Sequence, residues 1–141
     1  MNPFQSLRDY EAFIYALPEQ FPSILHSMLV VVQRGRSYAE LSGEVVFAAG
    51  YRLVVYERLT WDTDSVSIEG YGYEVWHGSD ELYWYDSQPH PHEPSLASTQ
   101  LHHKHLLPDI KHHRIPAPGL SFTAPNLPFL IDEIETTLLQ P

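Results

Sequence analysis

Apolar residues recur along this chain with two periods, and the change between them marks a first helix, a series of strands and a closing helix. Leu7, Tyr10, Phe13, Ile14 and Leu17 stand three or four positions apart, which puts them on one side of an amphipathic helix over residues 6–20. Ser6, with Asp9 three positions later, has the form of a helix-start cap. Pro18 disfavours helix at the residue before it, and Pro22 reinforces the stop.

From residue 27 the period shortens to that of strands. Met28-Leu29-Val30-Val31-Val32 is a β-branched apolar run, and Arg34-Gly35-Arg36 reads as a turn. Residues 40–47 alternate polar and apolar side chains, and Ala49-Gly50 marks the next turn. Residues 51–59, 66–76 and 81–86 supply three further strands, the last two joined at His77-Gly78-Ser79-Asp80. Short strands joined in succession by turns form an antiparallel meander, and no βαβ unit interrupts them. Residues 88–119 hold six prolines, so this stretch is expected to be mostly irregular. Asn126 can cap a final helix whose apolar face is Leu127, Leu130, Ile131, Ile134 and Leu138. The predicted fold is α+β: an antiparallel β-meander sheet packed by an N-terminal and a C-terminal helix, in one domain over residues 1–141. No internal repeat or linker divides it.

Composition narrows the chemistry. There is no cysteine, so disulfides and thiolate metal sites are excluded and any metal would need nitrogen and oxygen ligands. No run approaches the roughly 18 consecutive apolar residues of a membrane span. The first residues also lack the basic and apolar segments of a signal peptide, so a cytoplasmic protein without membrane attachment is expected. The net charge of −10 opposes generic attraction to nucleic-acid backbone and favours a basic partner. It leaves room for a local cationic pocket.

Such a pocket has an obvious address. Seven of nine histidines fall between His90 and His113, as His90-Pro91-His92, His102-His103-Lys104-His105 and His112-His113. Three of the eight lysines and arginines, Lys104, Lys111 and Arg114, lie among them. Imidazole titrates near neutrality and serves as acid, base or metal ligand. In an extended segment, residues two apart share a side, so His90 with His92, and His103 with His105, could each converge. Four nitrogens, or three with a carboxylate such as Asp86 or Glu57, would suit zinc, nickel, iron or manganese, although no HExxH-type spacing is present.

The same residues fit phosphodiester cleavage without metal. One group takes the proton of a ribose 2′-hydroxyl, a second protonates the leaving 5′-oxygen, and a cation stabilises the phosphorane. His103 and His105 would be acid and base, Lys104 or Arg114 would hold phosphate, and Glu57 would serve as base or orienting carboxylate. For His112-His113 a structural loop role is preferred, His26 and His77 read as structural at a strand start and a turn, and Trp61, Trp76 and Trp84 read as core or sheet-face residues. The nucleophile elbow G-x-S-x-G, the P-loop and the dinucleotide fingerprint are absent.

A family resemblance adds to this. Leu53-Val54-Val55-Tyr56-Glu57, Tyr71-Gly72-Tyr73-Glu74-Val75-Trp76, Trp84-Tyr85-Asp86, Pro89-His90 and His103-Lys104-His105 stand in the order seen in TumE-type toxins, and residues 127–134 resemble that family's closing helix. The family pattern reads Asp-Asn-Ala-Pro-His-His where this chain has Asp86-Ser87-Gln88-Pro89-His90-Pro91, with His92 one position later. The resemblance implies a toxin paired with an antitoxin and activity on RNA or translation.

The leading expectation is thus a toxin-like, metal-independent ribonuclease with no cofactor. His103, Lys104, His105, Asp86, His90 and Glu57 would be its catalytic set, and Lys111 and Arg114 would bind substrate. The alternatives are a non-catalytic module that orders around a protein partner, and a His/carboxylate metal-binding protein.

Overall fold

The computed structural model describes residues 2–62, 65–87 and 102–140; His90 and His92 lie outside them. Helix α1 (Leu7–Tyr15) begins where Ser6 Oγ accepts the Asp9 backbone N–H. The run anticipated over residues 6–20 is two helices, because the chain breaks at Ala16 and restarts as α2 (Leu17–Gln20). Pro18 explains the break: it fits the first turn of a helix, where no N–H partner is needed, but not an interior.

Strands β1 (Ile24–Ser27) and β2 (Val30–Gln33) both pair with β3 (Tyr38–Phe47). The apolar run at residues 28–32 is therefore not one continuous strand. Its backbone kinks at Met28-Leu29 across Gly43, whose φ is +129° and where a Cβ would sit 2.1 Å from the Met28 carbonyl oxygen. Only glycine fits under that crossing, and the kink turns Leu29 into the core.

The meander continues through β4 (Tyr51–Trp61), β5 (Val66–His77) and β6 (Asp80–Asp86), each antiparallel to the last. Two strands then appear in the stretch expected to be irregular: β7 (His103–Leu106) pairs with β6, and β8 (Arg114–Pro116) with β7. The prolines mislead there because they sit where they do no harm. Pro108 lies in the connection, and Pro116 ends an edge strand, where a missing N–H costs the sheet nothing. Helix α3 (Leu127–Ile134) follows and runs into a wider turn over Glu135–Leu139. Among the described residues the result is an eight-stranded antiparallel sheet with helices toward both ends of the chain.

Side chains alternate across the sheet, and its buried apolar residues fall on one face. Ala39, Leu41, Val45, Leu53, Val55, Leu59, Tyr71, Tyr73, Val75, Tyr83 and Tyr85 form a single cluster with Tyr10, Ile14 and Leu17 from the first helices and Leu127, Leu130, Ile131 and Ile134 from α3. Asn126 occupies the start of α3 but does not cap it. Its amide bonds Tyr73 and the Ser121 backbone instead, tying the helix to the core face.

Candidate functional site

Register decides which candidate residues meet. Asp86 pairs with Gly72 on β5, and Gly72 pairs with Tyr56 on β4. Directly paired residues point to the same face, so Asp86 shares a face with Tyr56 and lies opposite Glu57. His103 pairs with Asp86 and His105 with Trp84, so both imidazoles join Asp86 on the face away from the helices. Lys104, between them, points to the helix face. The candidate set is divided by the sheet.

On the outer face, His103 Nε2 lies 2.5 Å from Asp86 Oδ1, His105 Nε2 lies 3.2 Å from Asp86 Oδ2, and the two Nε2 atoms are 3.1 Å apart. Both imidazoles are almost fully buried, and Asp86 is the most accessible of the three. His105 Nδ1 donates to the Ile110 carbonyl at 2.8 Å, so its neutral form carries a lone pair on Nε2 toward the cluster. Desolvation, the largest influence, pushes the His105 pKa down. Trp84 packs on His105 with ring centres 4.1 Å apart, and its Nε1 donates to Asp86 Oδ2 at 3.0 Å. Arg114 pairs with His105 from β8, and its charge also disfavours the imidazolium there.

A cleft of about 260 Å³ is lined by Asp86 together with Gly72, Glu74, Glu81 and Trp84. Glu81 is pushed up to about 7, first by desolvation and then by neighbouring Glu74. A larger cleft, about 350 Å³, is lined by Pro3, Asp9, Ala12, Phe13 and Gln20 and brings no comparable set of groups together.

On the helix face, Glu57 is completely buried in the middle of the sheet. Tyr10 donates to one of its carboxylate oxygens at 2.6 Å and Tyr73 to the other at 2.5 Å. Burial pushes its pKa up to about 7, although both hydroxyl bonds pull it the other way. Lys104 Nζ bonds Glu133 of α3 at 3.1 Å and lies over the Tyr83 ring at 4.2 Å. His102 Nδ1 shares a 2.6 Å hydrogen bond with the Tyr71 hydroxyl. Lys111 is exposed in the β7–β8 connection, and His112 and His113 bond Asp109 and the Leu107 carbonyl there.

The structure therefore brings together Asp86, His103 and His105, sets Arg114 beside them, and places Glu57 and Lys104 across the sheet. Among the described residues, these three form the one group of histidines and carboxylates with ligand atoms close enough to share a metal ion. The sequence reading missed Trp84 as a partner of Asp86, although i and i+2 on a strand share a face. The Ile110 carbonyl carries no sequence signal at all.

The sequence model of the family described as Toxin TumE matches residues 14–138. The chain belongs to the TumE toxin family. No curated protein and no solved structure matches it significantly. The matched span contains all six strands from β3 to β8 and the whole of the Asp86–His103–His105 cluster, so the cluster lies within the part shared with TumE toxins. No described helix is long and apolar enough to cross a membrane.

Proposed function

We propose that this TumE-family toxin cleaves RNA, with Asp86, His103 and His105 as its chemical centre. The observation that carries the reading is the approach of two imidazole nitrogens to 3.1 Å beside one carboxylate. His105, its Nδ1 proton held by Ile110, offers Nε2 as the base that takes the 2′-hydroxyl proton. The freed oxygen attacks phosphorus, a 2′,3′-cyclic phosphate forms, and the P–O5′ bond breaks. His103, as imidazolium against Asp86, returns a proton to the leaving 5′-oxygen. Arg114 offsets the added charge on the phosphorane.

Glu57 and Lys104 support this arrangement from the core face without touching substrate in this reading. Lys111, on the connection next to Ile110, adds a phosphate contact. His90, outside the described residues, keeps its proposed place as a further catalytic group. The protein would act in the cytoplasm as a single domain and be restrained by an antitoxin. A basic, flexible antitoxin segment suits the charge of −10.

The test is cleavage of a mixed-sequence RNA by purified protein in excess EDTA, with His105→Ala alongside. Wild-type cleavage to 2′,3′-cyclic ends, lost in a folded variant, is the expected result. Equal cleavage by the variant removes His105 from the mechanism. An inert wild type turns the reading toward a binding module.

A further inference from the structure

We propose that Asp86, His103 and His105 also form a binding site for one divalent transition-metal ion of zinc type, holding it through two imidazole nitrogens and one carboxylate oxygen. Two ligand atoms about 2.0–2.1 Å from a common ion, at angles of roughly 95–110°, stand about 3.0–3.4 Å apart. The His103–His105 separation of 3.1 Å and the His105–Asp86 separation of 3.2 Å fall inside that window. His103 Nε2 lies 2.5 Å from the other carboxylate oxygen, Oδ1, a hydrogen-bonding contact that must open for Asp86 to share an ion with both rings.

The surroundings have the form that metal ligands require. A ligating histidine commonly donates its second ring N–H to a carbonyl, which fixes the ring and points the other lone pair at the metal. His105 does this through Ile110. The Trp84 indole N–H steadies Asp86 Oδ2, and its ring packs on His105, excluding water from one side. Asp86 leaves the site partly open toward the cleft, where water would complete four-coordination. Oxygen-seeking ions such as magnesium are poorly served by two imidazoles, whereas zinc accepts this donor set.

Zinc binding by these three residues does not depend on RNA cleavage. One consequence does rest on the cleavage reading: an ion occupies the lone pair that His105 needs as a base, so zinc inhibits and EDTA activates. The experiment uses the full chain without a histidine tag, stripped with EDTA and dialysed. Zinc is titrated by calorimetry, and cobalt(II) is followed through its visible absorption. Expected are one ion per chain and an intense four-coordinate cobalt spectrum that zinc abolishes.

Asp86→Asn and His103→Gln should each weaken binding by more than the roughly 10–100-fold cost of losing a second-sphere partner. His112→Ala, in the exposed connection, should bind as wild type. Failure of the wild type to bind zinc and cobalt overturns the proposal, as does binding that persists in His103→Gln or disappears in His112→Ala. Since Asp86→Asn preserves shape, the comparison survives even if His103→Gln folds poorly. Metal binding in a protein that never cleaves RNA overturns the cleavage reading alone.

Discussion

Two carboxyl groups, Glu57 fully buried and Asp86 partly exposed, lie on opposite faces of one sheet, and they differ in what surrounds them. Glu57 meets the neutral hydroxyls of Tyr10 and Tyr73, which offset its desolvation only in part, so its pKa rises to about 7. Asp86 meets two imidazoles that can exchange protons with it. The first arrangement joins helix α1 to the sheet centre; the second places mobile protons beside a cleft. Burial alone does not mark a working site. What marks it is a partner able to change its charge.

The largest contrast is expected from removing the working side. Asp86→Asn, nearly unchanged in shape, should lower RNA cleavage by about 10²–10⁴-fold, the range of general acid–base contributions. Initial rates on a defined RNA, read beside thermal unfolding, would show whether activity falls while folding persists. A comparable loss of stability would erase the distinction between the faces.

Glu57→Ala should do the reverse. It strands the Tyr10 and Tyr73 hydroxyls in the core and opens a void, costing about 3–5 kcal/mol in urea unfolding. A cost under about 1 kcal/mol would mean that the core relaxes freely around the loss.

Acidity gives a third contrast. The folded pKa of Glu57, about 7, exceeds its ordinary 4.5, so the folded protein holds this proton more tightly than the unfolded chain. The resulting stability is fully present below pH 4.5, falls through the interval to 7, and is gone above it. The total is about 3 kcal/mol. Unfolding midpoints at a series of pH values should show this slope in wild type and lose it in Glu57→Gln. Parallel profiles would assign the slope to other groups.

The smallest effect is expected at Lys104. Lys104 and Glu133 are both mostly buried, so Lys104→Met, which takes one donor from Glu133, should cost about 1–2 kcal/mol. Cleavage should change only a few-fold, because the ammonium lies across the sheet from Asp86. A hundredfold loss would place Lys104 with the imidazoles functionally, against the register.

Periodicity carried most of the fold into view. The alternation over β3 to β6 and the apolar stripes of α1 and α3 are strong local signals, and the structure has an antiparallel sheet with helices at both chain ends. What was hidden depended on contacts distant in sequence. The kink at Met28 needs Gly43, fifteen positions later, and β7 is a strand because β6 offers an edge. Within the site, the two-residue spacing of His103 and His105 already put them on one side. That Asp86 joins them, and Glu57 does not, follows from strand register, which no local pattern states.

The cluster straddles a seam: Asp86 belongs to β6, and both imidazoles belong to β7. β7 has four residues, of which Leu106 packs against the apolar cluster, and only the three-residue β8 follows it in the sheet. Parting this seam exposes little apolar area, so its opening free energy lies well below that of global unfolding. The amides of β7 should then exchange with solvent sooner than those of central β4. Any molecule that bridges Asp86 and the two rings clamps the outer strands to the sheet, so occupancy of the site can be read as slowed exchange along β7.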